Sequence, residues 1–223
     1  MPTIRIPDRH RPGIVKIRLV REEGFAELVW ALENCPVVAR FPLLSSRVAS
    51  QVKLLSKTEI DEILRTLLSL ASSLADSEVS VDKCASDLVE AMRASEREDL
   101  RLSPENEDVF KSRMARLLNI SSLNMSAKAC RVRTDYPRVF CDAKVLSDIR
   151  PVFDKPADKP IGSVINHSLR VEYHEGGDHK EFYVELDAED LSKLKKIFER
   201  AETKAASLKA YLKDSNMPDL DLS

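Results

Sequence analysis

Apolar residues recur at helical spacing over the first half of the chain and at strand spacing after position 138. Phe25, Leu28, Val29 and Leu32 fall at i, i+3, i+4 and i+7, which predicts an amphipathic helix that Pro36 ends. A second short helix is expected over 44–54. Ser56 and Glu59 then have capping-box spacing, in which each side chain satisfies a backbone N–H near the other residue. Behind them Ile60, Ile63, Leu64, Leu67, Leu68, Leu70, Ala71 and Leu74 form an apolar face wide enough for a central helix. Asp76 and Ser77 break it. Ser80 caps a further helix with Val81, Cys84, Ala85, Leu88 and Met92 on one stripe. Ser103, Pro104 and Glu105 open another, carrying Val109, Phe110, Met114, Leu117 and Leu118. Residues 1–13, rich in Pro, Arg and His, read as an irregular arm. Residues 14–20 (IVKIRLV) fit a strand or a helix, because short apolar runs are ambiguous.

From Arg138 onward the period is two. Val139, Cys141, Ala143 and Val145 alternate with Phe140, Asp142 and Lys144. A polar, proline-bearing loop over 154–160 follows. Ile165, His167, Leu169, Val171 and Tyr173 then alternate with polar residues, and Phe182, Val184 and Leu186 repeat the pattern beyond Gly176 and Gly177. Two alternating runs around a Gly-Gly pair predict a β-hairpin, with the earlier strand completing a meander. Asp187 caps a last helix whose stripe is Leu191, Leu194, Ile197, Phe198, Ala201, Ala205, Leu208 and Leu212. The expectation is an α+β chain: a mainly helical domain over 1–125, then a three-stranded antiparallel sheet packed against a long C-terminal helix over 126–213. A disordered acidic tail is expected over 214–223.

The strings SDIRPVF (147–153) and HSLRVEYHEGGDHKEFYVELDAEDLSKLKKIFERA (167–201), with LSLASSLADSEVSVDKCASDLVEAM (68–92), resemble a family of uncharacterised bacterial proteins. That resemblance implies no activity. The order of helices followed by strands and a long helix is also similar to the layout of COMM-domain proteins, which implies an assembly subunit. The tryptophan-bearing strand motif of those proteins is absent here.

Composition removes several classes of function. At 223 residues the chain suits one or two domains and needs no disulfide or metal to fold. Five glycines leave no glycine-rich phosphate loop, and a net charge of −2 makes no overall bid for nucleic acid or membrane. Cys35, Cys84, Cys130 and Cys141 share no CxxC spacing and read as reduced, buried thiols of a cytoplasmic protein. No secretory leader and no apolar run of about 18 residues is present in the sequence. There is no GxSxG or other nucleophile motif, so no catalytic residue and no cofactor are assigned.

Three constellations remain. His174 and His179 flank the hairpin turn, with Glu175 and Asp178 between them, and are the candidates for a metal; His167 has the wrong parity to join them. Lys128, Arg131, Arg133 and Arg138, near Tyr136 and Phe140, are the candidates for nucleic acid, diluted by Asp135 and Asp142. Leu194, Ile197, Phe198, Leu208 and Leu212 on the last helix are the candidates for docking a protein partner or a second copy. The leading expectation is a non-enzymatic interaction or adaptor protein. The alternatives are a nucleic-acid-associated regulator and a metal-binding protein.

Overall fold

The computed structural model describes residues 6–75, 77–133, 135–155 and 159–221. Asp76, parts of the expected arm (1–5) and loop (156–158), and the last two residues of the tail lie outside them. The described residues form two compact units. One runs to Arg133 and includes Leu220 and Asp221; the other runs from 135 to Asp219.

The first unit contains seven α-helices: α1 (Arg11–Leu19), α2 (Glu22–Glu33), α3 (Phe41–Ala49), α4 (Lys57–Ala75), α5 (Val81–Arg93), α6 (Pro104–Leu118) and α7 (Ser121–Arg133). The ambiguous segment 14–20 is helical through Leu19. Its β-branched residues are outweighed by burial of Ile14 and Ile17 against the rest of the bundle. The helix begins inside the expected arm, with Pro12 in its first turn. Helix α4 is central and packs against α1, α3, α6 and α7, with Ile60, Ile63, Leu64 and Leu67 fully buried. Sequence patterning did not reveal α7, and the unit therefore extends to Arg133 instead of ending at 125. Only Leu123, Ser126 and Ala127 of α7 are buried, and small side chains leave a faint apolar stripe. Ser122 Oγ donates to the Leu32 carbonyl at 2.5 Å, and Ser126 Oγ accepts from the Val38 N–H at 3.2 Å.

The capping box at α4 forms as expected. The Glu59 N–H donates to Ser56 Oγ (3.3 Å) and the Ser56 N–H to Glu59 Oε2 (2.9 Å), while Lys16 Nζ reaches Glu59 Oε1 at 3.0 Å. The Ser56 backbone hydrogen bond first, then the bond from Lys16, lowers the Glu59 carboxyl to about 2. A lowered folded-state value means that the stabilisation is complete above about pH 4.5 and is lost as pH falls toward about 2. The side chain is 31% exposed, so solvent screening reduces the effect to about 1 kcal/mol. Urea unfolding followed by Trp30 fluorescence should therefore weaken between about pH 5 and about pH 3. Glu59→Gln should be weaker at pH 5 and less sensitive over that interval. Equal pH slopes in the two proteins would refute the assignment.

The second unit holds β1 (Arg138–Val152), β2 (Gly162–Glu175), β3 (Asp178–Leu186) and α8 (Ala188–Asp214). The sheet is antiparallel in the order β1-β2-β3. Gly176 (φ 63°) and Gly177 (φ 95°) make the two-residue turn between paired Glu175 and Asp178, a backbone that side-chain-bearing residues rarely adopt. Pairing slips at Cys141: Phe140 faces Tyr173, whereas Asp142 faces the adjacent Glu172. This bulge overturns the simple alternation expected for β1. It puts Phe140 on the side of Ala143 and Val145, and sends Val139 to the other side with His174. Helix α8 starts at a capping box between Asp187 and Asp190. Asp187 is the sole residue linking it to β3.

None of the described residues of this unit is buried. Helix α8 meets the sheet mainly at the β3 junction, and along its stripe only Leu191, Leu194 and Leu212 are even half-buried. One-residue linkage leaves no loop with which to fold the helix back along the strands. Beyond its helix the tail also differs from expectation, since Leu220 and Asp221 are seated on the helical unit instead of hanging free.

Candidate interaction surface

The register sorts the sheet's side chains into two unlike faces. One carries Asp142, Lys144, Arg150, Arg170, Glu172, His174, His179, Glu181 and Glu185. Its charges are paired: Arg170 with Glu172 (2.7 Å) and Glu181 (2.5 Å), Arg150 with Glu185 (2.8 Å) and Asp148 (3.3 Å). These charges are satisfied in water, although Leu146, Val164 and Tyr183 stand exposed on the same face.

The other face is mainly apolar, interrupted by Ser147 and His167 and edged by Arg138, Glu175 and Lys180. Phe140, Ala143, Val145 and Ile149 of β1 stand beside Tyr173, Val171, Leu169 and Ile165 of β2, and Phe182, Val184 and Leu186 of β3 continue the row. Tyr173 and Phe182 meet edge to face at 5.9 Å. Among the described residues these side chains are left open, apart from Tyr173, whose ring lies under the Arg138 guanidinium. Phe140 is 66% exposed, Ile149 69% and Ile165 63%, and even central Leu169 and Val171 are only half-buried. At about 4.8 Å between strands and about 3.4 Å per residue, the three-stranded part of this face is roughly 400 Å². Helix α8 adds an uncovered stripe in which Ile197, Phe198, Leu208 and Tyr211 are all exposed. A patch of this size is often a functional surface.

His174 and His179 are a cross-strand pair with ring centroids 5.4 Å apart, and His179 Nε2 lies 3.1 Å from Glu172 Oε2. His167 is on the opposite face and meets Ser147 Oγ at 2.7 Å through Nδ1. Among the described residues, no three His, Cys, Asp or Glu side chains are grouped as a metal would need. Among the described residues no carboxylate is hydrogen-bonded to the His167 imidazole. The basic group is divided between units, with Lys128, Arg131 and Arg133 on α7 and Arg138 on β1. Arg133 is paired with Asp221. Arg138 donates to Glu175 (2.9 Å) over the Tyr173 ring. Hydrogen bonds from Lys180 and then Arg138 hold Glu175 at about 2. Leu194 and Leu212 are half-buried on α8, while Ile197, Phe198 and Leu208 stand in solvent.

Burial raises the thiols of Cys35, Cys84 and Cys130 above their ordinary value, which removes thiolate from all three. Cys141, expected to be buried, is exposed, like the rest of β1 apart from half-buried Val139, because neither face of this unit is packed. In the helical unit a cavity of about 450 Å³ is lined by Ile14, Leu70, Leu74 and Leu88, with His10 and Asp87 at its wall. Asp87 is engaged by Lys83 Nζ at 2.5 Å, and burial followed by nearby Arg9 lowers the pKa of His10. The uncovered sheet face was not foreseen from sequence. Its alternation was visible, but alternation does not say what lies on top.

No helix among the described residues is long and apolar enough to cross a membrane. No family model and no curated protein matches the chain. The likeness described above rests on the quoted strings and the order of elements.

Proposed function

We propose that this chain is a non-enzymatic interaction protein whose C-terminal unit is completed by another polypeptide laid on its apolar sheet face. The observation that carries this reading is a unit of three strands and a 27-residue helix with no buried residue among those described. A small sheet gains independent stability only by packing an apolar face, and each large side chain left out forgoes about 1.5–3 kcal/mol. The simplest occupant is a second copy. Its α8 is about 40 Å long at 1.5 Å per residue, against about 46 Å for the 14 residues of β2. Sheet face and helix stripe together offer roughly 800 Å² per copy, the area of a standard specific interface. The layout similar to COMM-domain assembly subunits supports the same reading. Nucleic-acid binding has less support, because Arg133 and Arg138 are each already engaged by a carboxylate.

Light scattering over a wide concentration range tests it. The wild-type mass should rise above 25.2 kDa, and Phe182→Lys together with Leu208→Lys should return it to the monomer value. A strict monomer whose sheet-face residues resist carbene footprinting would overturn the reading.

A further inference from the structure

The helical unit holds a short piece of the chain's own C-terminus in a way that describes a receptor. After Pro36 the connection to α3 bends at Ala39 and is extended at Arg40, with φ −130° and ψ 126°. One side of it is fixed to α7: the Val38 N–H donates to Ser126 Oγ (3.2 Å), and Cys130 Sγ approaches the Val38 carbonyl at 3.9 Å. On the adjacent residue the Ala39 N–H donates to the Leu220 carbonyl at 3.0 Å. Leu220 is half-buried. The next side chain, Asp221, is bracketed by two guanidinium groups, with Arg40 Nε at 3.2 Å from Oδ1 and Arg133 Nη1 on both carboxylate oxygens. Burial pushes the Asp221 carboxyl up, but the hydrogen bonds from Arg133 and Arg40 outweigh it and leave the group below its ordinary value.

We propose that Ala39, Arg40 and Arg133 form a docking site for a short acidic peptide carrying Leu followed by Asp, and that Leu220 and Asp221 occupy it in cis. Three features recognise the peptide. A main-chain hydrogen bond from the Ala39 N–H anchors it. A half-buried position takes the leucine. Two arginines, whose planar donors suit a carboxylate, take the aspartate. The hold is also releasable. It rests on surface ion pairs, which are individually weak and screened by salt, and on one main-chain bond. A tethered occupant acts at an effective concentration of about a millimolar, so an incoming segment has to exceed that or arrive on a larger interface. The site lies wholly on the helical unit and does not depend on what covers the sheet.

The test uses the full chain and a synthetic peptide, DSNMPDLDLS, with hydrogen exchange at the Ala39 amide read by NMR. In wild type this amide should exchange slowly. Asp221→Lys should speed it about tenfold or more while leaving the Trp30 unfolding transition in place. Added peptide at a few millimolar, in keeping with the effective concentration of the tether, should restore slow exchange to the Asp221→Lys chain. A peptide with its second aspartate of the DLD triplet replaced by lysine should not, and neither should the native peptide when Arg40→Glu and Arg133→Glu are also present. Identical Ala39 exchange in wild type and Asp221→Lys, or failure of saturating peptide to slow it again, would overturn the proposal.

Discussion

Gly13→Ala is expected to destabilise the helical unit by about 2–3 kcal/mol, although helix propensity alone predicts a gain of about 1 kcal/mol. The sign is therefore diagnostic. Gly13 lies in α1, where a Cβ would stand 2.3 Å from the Glu62 carbonyl oxygen and 2.3 Å from Thr66 Oγ1 on α4. The first neighbour is backbone and cannot swing aside. The second is the hydroxyl that donates to the His10 carbonyl (3.1 Å) and the Glu62 carbonyl (3.0 Å), so displacing it loosens both the start of α1 and its seat on α4. Removing that hydroxyl as well should recover part of the loss, making Gly13→Ala with Thr66→Ala less destabilised than the sum of the two single changes. Trp30, the single tryptophan, lies on α2 and reports this unit. At a urea slope near 2 kcal/mol per molar, the midpoint should move down by roughly 1–1.5 M. An unchanged or raised midpoint would show that the two helices do not approach this closely.

The second large effect is a contrast between two phenylalanines. Phe110 is 2% exposed in the core of the helical unit, and Phe110→Ala should cost about 4 kcal/mol through lost transfer energy and a cavity that rigid neighbours cannot fill. That is a large share of the 5–15 kcal/mol typical of a domain, so this variant should be partly unfolded at modest urea. Phe140→Ala removes the same ring from the apolar sheet face, where it has no cover. It should change the Trp30 transition by no more than about 0.5 kcal/mol. Its effect should appear instead in assembly, as a lower mass by light scattering at a fixed concentration. A mass left unchanged by Phe140→Ala would show that this ring takes no part in assembly.

These comparisons also mark what could be seen in the amino-acid order. Helix α4 was legible because a capping box and a wide stripe coincide, and the β2–β3 hairpin because alternation flanks two glycines. Both signals are local. Helix α1 was ambiguous because its β-branched run fits either state, and the deciding contact, Gly13 on α4, is formed with residues some fifty positions away. Helix α7 was invisible because it packs through Ser126 and Ala127, residues that carry little apolar contrast. The bulge at Cys141 hid for a different reason: Val139, Cys141, Ala143 and Val145 are apolar in either register, so the pattern could not report the slip. The candidate sites followed the same rule. His174 and His179 were placed together by turn geometry, whereas Arg40, Arg133 and Asp221 share a site through tertiary folding alone and leave no mark in any short window.

The sheet tapers. Strand β3 pairs with β2 only from His167 onward, so Gly162 to Asn166 have β1 on one side and no strand on the other. That stretch combines open main-chain donors and acceptors with Ile165 and Val164, and it carries no proline. It is thus a template on which any passing extended chain can grow, the kind of margin that most proteins guard with charge or cover. Edge-to-edge pairing at this margin is the expected route by which the C-terminal unit would precipitate.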